Sequence, residues 1–210
     1  KHHVDALVVQ EAMLSMLRRL SDSEGILLAL QSNLAITYRS LGRNEESIDM
    51  RRDVYYGRLK LQGEEHPETL LAANNYAANL VVLERFEAAK SLFRKTIPVV
   101  RRVLGDSNSL TLQMRANYAQ SLYKDATAAL DDLREAVTTV EETERIARRV
   151  LGGAHPVAIG IARSLKHSRD VLRAREKLQD ARATLSARLS ARETPSSAQD
   201  DKLIEYKNHT

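Results

Sequence analysis

The chain has 210 residues, of which 43% are hydrophobic and 29% are charged, and its formal net charge is +4. This composition is ordinary for a folded protein and has neither a strongly acidic nor a strongly basic balance. Cysteine is absent, which excludes disulfides, thiolate nucleophiles and cysteine-ligated metals. Aromatic residues make up only 4%, so a core would consist mainly of Leu, Ala, Val and Ile.

Nothing in the sequence indicates a membrane span or a secretory signal. Apolar runs such as 81–83 fall far short of the roughly 20 residues that a membrane-spanning helix needs. We therefore expect a cytoplasmic protein, and the absence of disulfides is compatible with that location. The chain starts at Lys1 instead of methionine, so a fragment of a longer protein is also compatible with the sequence.

Apolar residues recur at three- and four-residue spacing through the first half of the chain, as on one face of a helix. Turn residues separate these segments, at 21–25, Gly42 and Gly63, and glycine at a helix end favours a left-handed cap. Pro67 suits the first turn of a helix, where its missing N–H would have no partner. The predicted helices up to residue 104 are 4–20, 26–40, 45–61, 67–82 and 86–104.

Two features interrupt this pattern in the middle of the chain. Pro98 lies inside a predicted helix, where proline removes a backbone hydrogen bond at a cost of about 3 kcal/mol, so we predict a bend there. The segment from Gly105 to Gly152 is longer than the segment before it, and the extra residues fall around 123–131, in a turn. They form either a tolerated insertion or part of a binding surface. Asp132 and Glu135 have the spacing of a capping box ahead of the next helix.

No helix breaker occurs between Pro156 and Arg192. The segment is either one long helix or a first repeat helix that continues into a capping helix. Residues 166–192 have eight Lys/Arg against three Asp/Glu, and we interpret them as a basic C-terminal capping helix. A coiled-coil partner is the alternative, since five leucines lie near one stripe: Leu165, Leu172, Leu178, Leu185 and Leu189. The tail at 193–210, rich in Ser, Asp and Lys, is predicted to be disordered.

The chain also repeats itself. Asn33, Asn75 and Asn117 are 42 residues apart, and each begins the phrase Asn-Leu/Tyr-Ala. A fixed period of this size indicates an array in which no single unit buries its own apolar face. We predict an array over 25–165, preceded at 1–24 by the helix of a truncated repeat. Its repeats are placed at 25–66, 67–108 and 109–155, with the start of a fourth from 156.

These phrases resemble the tetratricopeptide repeat, in the long variety seen in kinesin light chains. The shared patterns are Gly-x-x-His-Pro at Gly63 and Gly152, Asn-x-Ala at the three asparagines, and Glu-x-Ala-x-x-Leu from Glu87 to Leu92. The chain departs from the pattern at the insertion, at Pro98 and at Asn108-Ser109, where His-Pro is expected. The resemblance implies an all-α, right-handed superhelical solenoid of antiparallel helix pairs.

In proteins of this type, the first helix of each pair (here called the A helix) lines the inner wall of the array, and its asparagines grip the backbone of an extended peptide. The resemblance places Asn33, Asn75 and Asn117 there, with Asn74 beside one of them. The alternative for each asparagine is a hydrogen bond to a neighbouring helix that fixes the stacking. The same alignment adds seven further groove-facing residues: Ser32, Arg39, Gln113, Gln120, Lys124, Arg163 and His167. The cations Arg39, Lys124 and Arg163 could pair with an acidic peptide.

Motifs of catalysis and cofactor binding are missing from the sequence. No His-Glu-x-x-His, phosphate-binding loop or dinucleotide fingerprint occurs. His66 and His155 occupy equivalent turn positions before proline, which we interpret as helix-start positions. The sequence therefore points to no enzyme, cofactor, metal or small-molecule substrate.

We predict a non-catalytic protein–protein interaction scaffold that binds a peptide or protein segment in the groove lined by the A helices, as in kinesin-light-chain-like cargo adaptors. The alternative is structural self-association into a homo-oligomer through the C-terminal helix. A third hypothesis, nucleic-acid binding by the basic helix, is disfavoured because that helix has no aromatic residues for base stacking.

Overall fold

The computed structural model describes residues 2–20 and 23–193. Over these residues every regular element is an α-helix and no strand occurs, which confirms the all-α class. The elements are α1 (His2–Leu20), α2 (Glu24–Ser40), α3 (Asn44–Gln62), α4 (Pro67–Val82), α5 (Phe86–Leu104), α6 (Ser109–Tyr123), α7 (Leu130–Leu151) and α8 (Pro156–Glu193).

The helices from α2 to α7 form three consecutive pairs, α2 with α3, α4 with α5, and α6 with α7. Short connections make the two helices of each pair antiparallel, and each pair packs on the next through α3 with α4 and α5 with α6. The A helices are α2, α4 and α6, and we call α3, α5 and α7 the B helices. This arrangement confirms a solenoid of antiparallel helix pairs.

Small residues let each A helix approach its neighbours. Ala35, Ala77 and Ala119 are completely buried, one position after the bulky residue of each repeated phrase. The B helices supply the other half of the core, in α5 through Ala89, Phe93 and Val100, and in α7 through Ala136, Val140 and Ala147. Burying one large apolar side chain stabilises the fold by about 1.5–3 kcal/mol. Stacking joins the burials of the second and third pairs into one large cluster, while Leu34 and Tyr38 of α2 pack with α1 in a separate, smaller one.

The helix starts confirm the role assigned to the two turn histidines. His66 Nδ1 accepts a hydrogen bond from the backbone N–H of Glu68, and His155 Nδ1 accepts one from Val157, both at 3.2 Å. At the equivalent position of the third repeat, Asn108 Oδ1 accepts from the N–H of Leu110 at 2.8 Å. Asparagine thus replaces histidine as the cap where the His-Pro pattern is missing.

The helix ends differ in detail from the prediction. Gly63 has φ 81° and ψ 173°, so the predicted positive φ is confirmed but the left-handed helical cap is wrong. This extended, positive-φ conformation is essentially restricted to glycine. Gly105 and Gly152 end their helices in the same way.

The insertion lies where the sequence placed it, but part of it is helical. The connection from α6 to α7 spans 124–129, against 83–85 between α4 and α5, and α7 has 22 residues where α5 has 19. The predicted capping box is wrong, because α7 starts at Leu130 and Ala129 is its N-cap without a side-chain bond. Asp132 and Glu135 therefore lie inside α7. In α5 the helix continues through Pro98, and the bend there stays a prediction.

Of the two alternatives for the C-terminal segment, one long helix is correct, since α8 is continuous from Pro156. Residues 166–192 are thus part of α8 and not a helix of their own. The chain divides into two units, one up to Leu172 and one from Arg173, and the predicted domain boundaries stay predictions. Of the tail predicted at 193–210, Glu193 is the last residue of α8, and 194–210 lie outside the described residues. No helix of the described chain is long and apolar enough to cross a membrane.

Candidate functional site

The first candidate cleft has a volume of about 190 Å³ and lies between α2, α3 and α4. It brings together three residues that the sequence placed in the groove, namely Ser32, Asn33 and Asn75. Asn33 is exposed and the other two are half-buried, while apolar side chains such as Leu28 form part of the wall. The cleft therefore offers two carboxamides beside an apolar surface.

The second candidate cleft, of about 230 Å³, is lined by the three A helices alone. Arg39 from α2 and Asn117 and Gln120 from α6 supply its polar groups. Ala78, Val81 and Val82 of α4 supply the apolar surface between them, and Val82 is 47% exposed. Three more of the predicted groove residues thus share one site.

Asn74 has a different environment from its neighbour Asn75. It is 4% exposed, and its Oδ1 accepts a hydrogen bond from Asn117 Nδ2 at 3.0 Å. This bond joins α4 to α6, which is the stacking role that we kept as the alternative for the asparagines. Asn117 retains a second N–H and its carbonyl oxygen, so it can serve both stacking and a ligand.

The remaining predicted residues lie outside both clefts. Gln113 is half-buried on α6, one turn before Asn117, and Lys124 is exposed just after α6 ends. Arg163 and His167 are exposed on α8, where the His167 ring contacts the edge of the Tyr123 ring at 5.3 Å between centroids. These four residues do not add to the two clefts.

Two arginines at core-facing positions of α3 were not predicted from the sequence. Arg51 and Arg58 occupy the positions that Phe93 and Val100 fill in α5. Arg58 lines the first cleft, and its Nη2 donates to the carbonyl oxygen of Gly25 at 3.3 Å. Alignment of the B helices with one another would have revealed both substitutions, because the other repeats have apolar residues there.

Arg51 is the more unusual of the two. It is 8% exposed, and no acceptor among the described residues bonds its Nε. Burial, followed by repulsion from Arg39, lowers the pKa of the Arg51 guanidinium. The two guanidinium groups therefore repel each other, and of the two only Arg39 lines the second cleft.

The two clefts differ in charge. Their polar groups are carboxamides, a hydroxyl and guanidinium ions, and in the first cleft also the Glu68 carboxylate, 3.8 Å from Arg58 Nη2. Among the described residues, no group of three or more His, Asp or Glu side chains could hold a metal ion.

Comparison with known proteins agrees with this geometry. The tetratricopeptide repeat family model matches residues 26–102, and the search of curated proteins gave no match. A structure of TPR-like repeats from a Podosopora anserina protein assigned as a kinesin light chain is similar, with TM-score 0.68, 18% identity and coverage of 92% of this chain and 90% of that chain. A single-substitution variant of that protein gives a TM-score of 0.69 and 19% identity over 88% of this chain and 85% of that chain.

A third similar structure is that of BtubC (BKLC) from P. vanneervenii, with TM-score 0.64 and 15% identity over 87% of this chain and 75% of that chain. At these identities the structural comparisons establish the fold. Residues 26–102 therefore match the tetratricopeptide repeat model, and the chain has the fold of these solved TPR-like repeat structures.

Proposed function

We propose that this protein is a non-catalytic scaffold that binds an extended peptide or protein segment along its A helices. The observation that carries the proposal is the second cleft, where Arg39, Asn117 and Gln120 surround an apolar surface formed by α4. Polar groups around apolar surface are the usual design of a peptide groove, with hydrogen bonds to the backbone and pockets for anchoring side chains.

The charge near this cleft supports a partner segment with acidic side chains. Arg39 lines the cleft, and burial together with the charge of Arg39 lowers the pKa of Arg51. A carboxylate bound at Arg39 would relieve the repulsion between the two guanidinium groups, and an Arg–carboxylate pair can form two parallel hydrogen bonds. By likeness to kinesin light chains, we extend the proposal to a cargo-adaptor role in the cytoplasm.

Fluorescence polarisation with a library of labelled acidic peptides that contain aromatic residues tests the proposal. We expect the double substitution Arg39→Ala/Gln120→Ala to weaken binding about tenfold or more, since a hydrogen bond to a charged group contributes about 1.5–3 kcal/mol. Arg145→Ala, which removes an exposed arginine from α7, is the matched control and should bind as the unmodified protein does. Equal affinities for all three proteins would contradict the groove.

A second candidate function is self-association through α8. Leu178, Leu185 and Leu189 are 47%, 59% and 51% exposed, and they lie near one stripe of the helix. Exposed leucines in register on one helix face are typical of a surface that another helix covers.

A further inference from the structure

A third cleft, which we call the outer cleft, lies between the B helices α3 and α5. It has a volume of about 330 Å³, and Tyr55, Tyr56, Tyr76, Leu59 and Lys95 are among its lining residues. Three tyrosines are thus gathered at one site in a chain where aromatic residues make up only 4%. Tyr56 is 57% exposed, so its ring is accessible to a ligand.

The outer cleft is distinct from the clefts on the A helices. Tyr76 and Leu80 of α4 line the outer cleft, while Ala78 and Val82 line the second cleft. At about 100° per residue, these two pairs lie on opposite faces of α4. A ligand in the outer cleft would therefore leave the proposed peptide groove open.

The next junction along the array shows how the equivalent position is filled there. Between α5 and α7, Arg94 Nε donates to the Tyr118 hydroxyl at 3.1 Å, and that hydroxyl donates to Glu135 Oε1 at 2.6 Å. The Arg94 guanidinium also lies over the Tyr118 ring, 5.9 Å from its centroid. The carboxylate of Glu135 thus completes a bridge between the two B helices, and Tyr118 is only 7% exposed.

The outer cleft is lined by the equivalent tyrosine, while the equivalent arginine acts on that tyrosine from outside the lining and alanine replaces the carboxylate. Tyr76 and Arg52 precede Tyr118 and Arg94 by 42 residues, and Ala88 holds the place of Glu135 when the closing glycines are aligned. Arg52 instead pairs with two aspartates of its own helix, Asp49 and Asp53.

Two hydrogen-bond donors are therefore left at the outer cleft. Within residues 2–20 and 23–193, no group accepts a hydrogen bond from the Tyr76 hydroxyl, and no carboxylate pairs with the exposed Lys95. Burial raises the pKa of Tyr76, so its hydroxyl stays protonated and available as a donor at neutral pH.

We propose that the outer cleft binds an acidic segment of a partner protein, with one carboxylate in the place that Glu135 occupies at the next junction. That carboxylate accepts from the Tyr76 hydroxyl and pairs with Lys95. An apolar or aromatic side chain next to it packs on Tyr55 and Tyr56. The charge of Lys95 and the exposed tyrosine ring together select an acidic residue flanked by an apolar one.

The test is an NMR titration of the full-length ¹⁵N-labelled chain with the peptide acetyl-Gly-Glu-Tyr-Gly-amide and with its Gln counterpart. We expect saturable shifts of backbone amides around Tyr56 and Lys95 with the Glu peptide, and affinity at least fivefold weaker with the Gln peptide. Lys95→Ala should weaken binding of the Glu peptide about two- to fivefold, as for an exposed ion pair.

Ala88→Glu supplies the missing carboxylate from the chain itself and should abolish the shifts around the outer cleft. Ala154→Glu, which adds the same charge on an exposed turn, is the matched control and should bind normally. The proposal is overturned if the wild-type cleft shows no saturable shifts, if both peptides bind equally, or if a folded Ala88→Glu variant still binds. Should circular dichroism show that Ala88→Glu does not fold, unchanged affinity of Lys95→Ala overturns it.

Discussion

Polar residues in the core of α3 have two different environments. Ser47 is completely buried, its Oγ donates to the Ala35 carbonyl oxygen at 2.8 Å, and it accepts from Asn79 Nδ2 at 3.0 Å. These bonds join α2, α3 and α4. Arg51, one turn further along α3, has an unbonded Nε. A satisfied buried network adds stability and fixes packing, whereas an unpaired buried group costs free energy.

Ser47→Ala should lower the free energy of unfolding by about 1–3 kcal/mol, because it leaves the buried amide of Asn79 without its acceptor. Urea denaturation followed by circular dichroism measures the change. Ser40→Ala is the matched control, since Ser40 Oγ only bonds the Ile36 carbonyl of its own helix at an exposed position. Its effect should stay within about 0.5 kcal/mol. Equal losses for the two variants would show that the network contributes nothing specific.

At the scale of elements, the inserted connection from α6 to α7 is held by a small set of charged contacts. Asp125 Oδ1 accepts from the backbone N–H of Thr127 at 2.8 Å and from its hydroxyl at 2.6 Å. Asp125 Oδ2 accepts from Lys90 Nζ at 3.3 Å, and Lys90 is 4% exposed. The Thr127 hydroxyl is the chief cause of the lowered pKa of Asp125, and Lys90 adds to it.

Asp125→Asn should lower the free energy of unfolding at neutral pH by about 1–2 kcal/mol, because Lys90 loses one charged acceptor while it keeps Glu87 at 2.7 Å. The pKa of Asp125 is lower in the folded state, so its stabilisation is present above the unfolded pKa of about 4 and is lost as pH falls through the folded pKa. Wild type should therefore lose more stability on acidification than the variant does.

Urea denaturation at neutral and acid pH measures both effects of Asp125→Asn. Asp131→Asn is the control, because Asp131 lies in the same region with a side chain that is 94% exposed. It should change stability by less than about 0.5 kcal/mol. Identical pH dependence in wild type and Asp125→Asn would refute the role given to this carboxylate.

The same region shows how much of the fold the sequence could predict. Glycine and proline positions located the helix ends closely, because those residues act through the local backbone. The spacing of Asp132 and Glu135 matches that of a capping box, but neither residue caps the helix. Asp132 Oδ2 lies 4.0 Å from Lys90 Nζ, and Glu135 Oε1 accepts a hydrogen bond from the Tyr118 hydroxyl. Partners so distant in sequence cannot be read from a local pattern.

The candidate site was predictable to a similar degree. The repeat period placed Asn33, Asn75 and Asn117 on the A helices, and the clefts there include all three. The period could not show that Asn74 turns inward to bond Asn117, because that contact depends on how two repeats stack. A difference between equivalent positions, such as Ala88 and Glu135, becomes informative only once the packing shows which residues those positions face.

For the whole molecule, the leucines of α8 lie on two faces of the helix. At about 100° per residue, Leu178, Leu185 and Leu189 share one face, about 100–160° around the helix from Leu165 and Leu172. Leu165 is buried in the core of the first unit and Leu172 is half-buried. In the second unit, Leu178, Leu185 and Leu189 are each about half exposed. A repeat array leaves an apolar face open unless a cap or another molecule covers it. Self-association would cover this face.

If a second copy covers this face, the full chain should sediment as a dimer at micromolar concentration, and a chain ending at Leu172 should sediment as a monomer. The cut at Leu172 leaves the buried residues of α8 in place. Leu185→Glu should also give a monomer, because a charge on the stripe is costly to bury. Ala187→Glu is the matched control: at about 100° per residue it lies across the helix from the stripe, so it should remain dimeric. Sedimentation velocity measures all four proteins, and a monomeric full chain would exclude self-association through α8.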